Sequence, residues 1–477
     1  MHSLSFIDDQ EYNDAINTPV VARYHTADIE IEANYIAEMV RGELSKQFDD
    51  LYTGGYRVYT TIDSRLQEAA NTALTSGLLR YTERHGYKGA ESTIELSTLS
   101  SPETKEKALK ALSAIGDIEQ AIVLSVSDKS AIVMRQSGEE ATIQWDGMSW
   151  ARPYKSVNSM GSKPKTATEI LTAGDIVRIQ KRPLKKDQTS SEETATEDEH
   201  WVLTQIPEVQ GALISANPKD GAIRSLVGGF NYHHNKFNRV TQAVRQPGSN
   251  IKPFVYAAAL AKGMTPATTI NDAPVVFHDN NLESNWRPEN YSKKFYGPTR
   301  LREALYRSRN LVSIRLLQQL GINDTVSYLG NFGFDTEKLP RNLSLSLGAA
   351  DMTPFDVLKG YATLANDGHP IEPFFISRIE NAFGEPIYTH QPATVCDGCV
   401  YVAEGEPVPI ELSGKEITNL PIAKRTIDKQ TMFLITNMMQ DVITRGTGKR
   451  ALALKRTDLA GKTGTTNEAK DAWFVGF

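Results

Sequence analysis

The sequence predicts an α/β fold from about residue 209 onward, with a small β-barrel-like insert ahead of it, and three observations carry the prediction. Residues 212–216 and 222–227 read as two strands joined by Asn217-Pro218-Lys219-Asp220-Gly221, a hairpin signal. Helical stretches follow at 252–262, 299–320, 354–366 and 429–443. Between about residues 116 and 209 the texture is instead one of short β-like runs (121–125, 130–134, 141–145, 175–180 and 201–206) separated by polar turns. At 477 residues the chain has room for about three domains. They fall as an N-terminal linker unit over 1–90, the β-rich insert over 91–208 and the α/β domain over 209–477.

The remaining elements follow in chain order. Over 26–48, Ile29, Ala33, Ile36, Val40 and Leu44 recur at helical spacing, which predicts an amphipathic helix ending before the turn at Gly54-Gly55. A strand is expected over 56–62, and Asp63-Ser64 can cap a helix that runs through Leu66, Ala70, Ala73 and Leu78 to His85-Gly86. Residues 181–200 carry charge, Ser and Thr with almost nothing apolar, which suits a solvated hairpin tip. The acidic end of that stretch, Glu197-Asp198-Glu199-His200, reads as a solvated charge run rather than a metal site. The chain closes with an apolar, strand-like run over 472–477.

Composition removes several function classes. Lys and Arg number 52 against 58 Asp and Glu, so the basic excess of a protein that tracks phosphates is missing and nucleic acid is not an expected partner. The longest apolar run, 254–261, is far short of a bilayer span, and the residues after Met1 lack the layout of a signal peptide. The two cysteines stand as Cys396-Asp397-Gly398-Cys399. Zinc would need two further ligands and the surrounding loop offers no His pair, while a redox pair would want a helix start that Val400-Tyr401-Val402 does not suggest. A local disulfide and two unreactive thiols both remain open.

Three short constellations carry chemistry. In Arg245-Gln246-Pro247-Gly248-Ser249-Asn250-Ile251-Lys252, Pro-Gly makes a turn and an apolar run then starts a helix, placing Ser249 at its N-terminus. Lys252 lies one turn on, where a neutral amine can take the serine proton, and the free N–H groups of the helix start favour an oxyanion. A second Ser-x-x-Lys at Ser162 and Lys165 lies in the polar insert with no helix starting at its serine. Ser308-Arg309-Asn310 is the next constellation: Ser308 falls on the face of Leu301, Leu305 and Val312, where a plain amphipathic helix would carry an apolar residue. A serine bonded back to a helix carbonyl is the plain alternative, and Ser156-Val157-Asn158 repeats the pattern in the insert. Lys462-Thr463-Gly464-Thr465 is the third. A P-loop would need Gly five positions before Gly461, and Arg456 stands there. A Lys-Thr-Gly strand offers instead a cation and hydroxyls for a carboxylate, with room at Gly464 for a backbone to pack.

Ser249-x-x-Lys252, Ser308-x-Asn310 and Lys462-Thr463-Gly464 occur in the order found in penicillin-binding proteins and class A β-lactamases. Over nearly its whole length the chain resembles the penicillin-binding proteins, in particular the Gram-negative class A (bifunctional) type. Further stretches similar to that family are Gly55-Tyr56-Arg57-Val58-Tyr59-Thr60-Thr61-Ile62-Asp63, Trp286-Arg287-Pro288-Glu289-Asn290-Tyr291, Ser346-Leu347-Gly348 with Thr353-Pro354, and Thr444-Arg445-Gly446-Thr447-Gly448. The resemblance implies a central antiparallel sheet flanked by helices, with an OB-like insert. It implies a serine DD-transpeptidase acting on the D-Ala-D-Ala end of peptidoglycan stem peptides, inhibited covalently by β-lactams, and needing no cofactor and no metal. Ser249 would be the nucleophile, Lys252 its base, and Ser308 a proton relay between Lys462 and the leaving amine. Asn310 would hold a substrate amide, Lys462, Thr463 and Thr465 the terminal carboxylate, and the N–H groups of Ser249 and Thr465 the oxyanion, with Gly464 leaving space for substrate. The implied setting is the periplasmic face of the inner membrane, with cell-wall synthesis proteins as partners through the insert.

The chain departs from the family pattern at both ends. No string like the Glu-Asp-x-x-Phe of the glycosyltransferase domain is present, so glycan polymerisation and a membrane anchor are not expected of this chain. Family members also continue beyond the 472–477 strand with another strand and a helix. Two further functions remain open in the sequence. A serine β-lactamase would share all three motifs, although no Glu-x-x-Leu-Asn string lies between Ser308 and Lys462. A non-catalytic β-lactam sensor or scaffold would use the pocket or the insert without turnover.

Overall fold

The computed structural model describes residues 1–17, 29–183, 199–276, 286–393, 395, 411–412, 415–416, 421–466 and 469–477. Cys396, Cys399 and most of the charged stretch at 181–200 lie outside the described residues. Two compact units are present, Met1–Glu32 and Ala33–Phe477. In the first, the helix Asp9–Asn17 is capped reciprocally: Asp8 Oδ1 accepts from the Glu11 N–H at 2.8 Å, and Glu11 Oε2 accepts from the Asp8 N–H at 3.1 Å.

In the second unit the linker helix is shorter than its spacing predicts. It runs over Asn34–Leu44 and buries Tyr35, Ile36 and Leu44, whereas Ile29, counted on the same face, is 81% exposed. A helical period holds only as far as packing supports it. The predicted cap is present: the Asp63 carboxylate accepts from the N–H groups of Arg65 and Leu66 and starts the helix Ser64–His85. The strand before it, Arg57–Thr60, pairs antiparallel with Ile376–Glu380 and so ties the linker to a distant part of the chain.

The insert is a strand assembly. Ile118–Val126, Ser130–Arg135, Glu140–Gln144, Glu199–Thr204 and Asp175–Pro183 pair in succession, and Asp175–Pro183 pairs again with Ile118–Val126, so the circuit of five strands closes. Alternate residues (Val123, Val133, Ile143, Ile179 and Leu203) point inward and are fully buried. The duplicate motifs end here: Ser162, Lys165, Ser156 and Asn158 are all exposed.

The catalytic-type motifs lie in the remaining α/β part. The predicted hairpin is the antiparallel ladder of Leu213–Ala216 with Ile223–Val227, and Gly221 turns it at φ +83°. A second antiparallel ladder pairs Gly461–Thr465 with Ala472–Gly476, and the helix Pro354–Ala365 packs against a strand of each ladder. At the centre stands the helix Lys252–Ala261, in which all residues but the last are buried. Its Phe254 ring meets those of Phe332, Phe334 and Tyr361 edge-on. Helices Leu301–Tyr306, Asn310–Leu320 and Lys429–Thr444 enclose it.

The continuous helical stretch predicted at 299–320 is corrected. Its first two residues finish the strand Gly297–Arg300, and the helix breaks between Tyr306 and Asn310. Ser308 takes the left-handed conformation at φ 58°, the break being closed by the Ser308 N–H on Leu305 O at 3.0 Å and the Arg309 N–H on Ala304 O at 2.8 Å. The polar residue on an apolar face therefore marks a helix break, and its hydroxyl meets the buried Lys252 and Lys462.

Candidate active site

Ser249 sits in the 3-10 turn Gly248–Ile251 that leads into the helix Lys252–Ala261. Its N–H belongs to an opening turn, where no preceding carbonyl takes up the helical donors. Two contacts hold this turn. Tyr361 donates its hydroxyl to Asn250 O at 3.0 Å, and Gly348, left-handed at φ +78°, lies so close to Gly248 that a Cβ there would overlap the Gly248 carbonyl. Gly464 faces the turn from the other side, and a Cβ there would come 2.7 Å from Asn250 Nδ2.

Lys252 is fully buried. Its Nζ donates to Ser308 O at 2.9 Å and to Asn310 Oδ1 at 2.8 Å, with a longer 3.4 Å approach to Ser308 Oγ. These contacts hold the amine between Ser308 and the Asn310 amide. Burial first, and the nearby Lys462 second, hold Lys252 well below the usual lysine value. The sequence places this amine within reach of the Ser249 hydroxyl; in the structure its hydrogen bonds are made with Ser308 and Asn310.

Lys462, also fully buried, donates from Nζ to Ser308 Oγ at 2.9 Å and to Thr463 O at 2.9 Å. Burial pushes it down to about 7. Ser308 thus stands between two buried amines. A buried lysine with a lowered value costs stability wherever the unfolded chain would still hold its proton. For Lys462 that cost is full below about pH 7 and is relieved as pH rises toward the unfolded value near 10.5. The stability of the parent relative to Lys462→Met is therefore expected to rise by about 1.4 kcal/mol per pH unit above pH 7 and to be flat below it. Urea unfolding of both proteins from pH 6 to 9 measures this, and a pH-independent difference would contradict it.

The strand Gly461–Thr465 supplies the rest of the wall. Ala460 and Phe477 exchange both backbone hydrogen bonds at 2.9 Å, and the Thr466 N–H donates to Asp471 O at 3.1 Å. Bonded pairs alternate along an antiparallel ladder in register, so the N–H of Thr465, opposite Ala472, is left out of it. That N–H lies on the Gly248 side of the strand. Thr463 is half-buried and shares a 2.6 Å hydroxyl contact with Thr447, while Thr465 is exposed.

All eight residues singled out in the sequence come to this wall and turn. Four others had no role assigned from the sequence. Thr447 supports Thr463, and Gly348 backs the turn Gly248–Ile251. Asn290 accepts the Asn310 N–H on Oδ1 at 2.8 Å, and Glu289 O accepts from Asn310 Nδ2 at 2.8 Å. All three stretches that hold them, 286–291, 346–348 and 444–448, were visible as similar to the family, but nothing local says what they touch. The arrangement can generate a serine alkoxide, stabilise an oxyanion with two main-chain donors and present a cation and hydroxyls to a carboxylate, the requirements of acyl transfer through serine.

Comparison with known proteins agrees with this chemistry. Residues 211–477 match the family described as "Penicillin binding protein transpeptidase domain", and residues 87–209 match "Penicillin-binding protein OB-like domain". The chain is similar to penicillin-binding protein 1A of Pseudomonas aeruginosa, at 44% identity over 100% of this chain and 59% of that protein. It is 42% identical to penicillin-binding protein 1A of Vibrio cholerae, over 99% of this chain and 57% of that protein. The chain thus spans less than two thirds of the length of these relatives. The crystal structure of penicillin-binding protein 1A from Haemophilus influenzae superposes with a TM-score of 0.82 at 33% identity, covering 100% of this chain and 68% of that one. With Ser249, Ser308 and the two buried lysines gathered in the matched segment, the chain belongs to the class A penicillin-binding proteins, and residues 211–477 are its transpeptidase domain.

Proposed function

We propose that this chain is a peptidoglycan DD-transpeptidase that works through an acyl-enzyme on Ser249 and is acylated at the same atom by β-lactams. The observation that carries the reading is the fully buried Lys252 amine, bonded to Ser308 and Asn310 one turn from Ser249 and lowered in pKa by that burial.

Lys252 Nζ takes the Ser249 proton as Oγ attacks the carbonyl carbon of the penultimate D-alanine. The oxyanion is held by the N–H groups of Ser249 and Thr465. The C–N bond then breaks, and the D-alanine amine leaves with a proton relayed through Ser308, which touches both amines. An acceptor amine attacks the ester, loses its proton to the same relay and forms the new peptide bond, and Ser249 Oγ regains a proton. The terminal carboxylate lies against Lys462, Thr463 and Thr465, and its charge raises the protonated fraction of a lysine poised near pH 7. Asn310 holds a substrate amide, and Gly464 leaves space beside the strand. A β-lactam opens its ring amide at the same carbonyl, and its nitrogen stays tethered to the adduct. The setting is the periplasmic face of the inner membrane, with the insert as a surface for cell-wall synthesis proteins.

Intact mass after brief incubation with a penicillin tests the reading. One adduct that persists on the parent and is missing from Ser249→Ala is expected. Rapid loss of the adduct would indicate a β-lactamase, and no adduct on the parent would overturn the reading.

A further inference from the structure

Asp272 is completely buried, and the chemistry above makes no use of it. It ends the strand Thr269–Asp272, and its two carboxylate oxygens accept from Asn290 Nδ2 at 2.8 and 3.0 Å. The second hydrogen of that amide goes to Lys294 O at 2.9 Å. With both N–H groups of the amide spent on acceptors, its oxygen has one direction left, toward the Asn310 N–H, which donates to it at 2.8 Å. A carboxylate accepts and a backbone N–H donates, so these contacts admit only one orientation of the Asn290 amide.

The same logic repeats one residue further. Asn310 Nδ2 is taken by Glu289 O, next to Asn290 in the chain, which leaves Asn310 Oδ1 facing Lys252 Nζ at 2.8 Å. The buried carboxylate is therefore the fixed end of a series of hydrogen bonds: Asp272 to the Asn290 amide, the Asn290 amide to the start of the helix Asn310–Leu320, and Asn310 to the lysine amine. Arg309 flanks the series, its guanidinium stacked 3.3 Å over the Tyr296 ring with Nε 3.9 Å from Asp272 Oδ2 and making no hydrogen bond there. It accompanies the carboxylate without competing for the acceptors that Asn290 uses.

We propose that Asp272 is a positioning residue for the acylation step: acting through Asn290, it fixes the acceptor on Asn310 that orients the Lys252 amine, and so sets where the amine lone pair points. The inference rests on the reading of Ser249 as the acylated serine.

The test is the second-order rate of penicillin acylation, read by intact mass, for the parent, Asp272→Ala, Asp272→Asn, Asn290→Ala and the Asp272→Ala/Asn290→Ala double variant. A displacement of the base by one ångström or so predicts a loss of about 100-fold for Asp272→Ala. Asp272→Asn, which keeps one acceptor oxygen and nearly the same volume, falls between it and the parent. The double variant is no slower than the slower single variant, because both act through one path. Parent-like rates in Asp272→Ala, or single losses that multiply in the double variant, overturn the proposal. If the parent itself takes no adduct, the functional reading has failed, and the crystal structure of Asp272→Asn beside that of Asp272→Ala still decides the inference. The alanine variant is expected to release the Asn290 amide and lose the contact between Asn310 Oδ1 and Lys252, while the asparagine variant keeps it. Unchanged positions of Asn290, Asn310 and Lys252 in the alanine variant overturn it on structural grounds.

Discussion

Lys252→Met is expected to slow penicillin acylation by about 10²- to 10⁴-fold, the range lost when a general base is removed. Methionine fills nearly the same buried volume with a flexible apolar chain, so the helix Lys252–Ala261 stays packed and the loss is chemical. The mechanism also fixes the direction of the pH dependence. In the proposed mechanism acylation needs the neutral amine, and burial together with the Lys462 charge holds Lys252 well below its usual value. The parent rate therefore falls on the acid side, at a pH well below the ordinary lysine range. Removing the like charge in Lys462→Met raises the Lys252 value and moves that acid limb to higher pH. Rates of labelling by a fluorescent penicillin between pH 5 and 9 check both statements. Lys252→Met labelled at the parent rate, or an acid limb unmoved by Lys462→Met, would remove Lys252 from the role of base.

Gly348→Ala is expected to disable the site from the opposite direction, through the backbone. The residue is left-handed at φ +78°, and a Cβ would overlap the Gly248 carbonyl while lying 2.6 Å from Gly248 Cα. The left-handed conformation costs an alanine about 1–2 kcal/mol. The overlap adds about 1–3 kcal/mol as the neighbours shift. Backbone cannot rotate aside as a side chain can, so Gly248 itself must move and carry the Ser249 N–H with it. A destabilisation of about 2–5 kcal/mol by these two contributions is expected together with a loss of acylation in the protein that remains folded. Denaturant unfolding and adduct formation, measured on one preparation, check it. Parent-like values in both would mean that the turn accommodates a Cβ and that the close approach is not needed.

The two effects show why some of the site was readable in sequence and some was not. Ser249 and Lys252 are one turn apart, and local spacing decides their proximity. Gly464 and Thr465 follow Lys462 on a single strand, whose alternation is likewise local. Ser308 betrayed itself as a polar residue on an apolar face, although the reason was a break between two helices, and the period of Leu301, Leu305 and Val312 concealed it. Thr447 under Thr463, Asn290 on Asn310 and Gly348 on Gly248 are contacts between segments 16 to 100 residues apart in sequence. Each is set by how helices and ladders dock, and no periodicity within either segment encodes it. The fold was legible for the same reason: the hairpin at 213–227, the Asp63 cap and the run of insert strands are local, whereas the pairing of Arg57–Thr60 with Ile376–Glu380 is not.

The free N–H of Thr465 has a consequence for how this site can change over generations. It comes from ladder register, not from the identity of a side chain. Nearly any residue at 465 preserves it, and only proline deletes it. A substitution at this position can alter what the side chain recognises while the main-chain donor survives, so the proposed hold on an oxyanion is insulated from point mutation in a way that the proposed roles of Lys252 and Ser308 are not. Variation that weakens an inhibitor is therefore expected to accumulate in the exposed side chains around the strand, and to leave its backbone register intact.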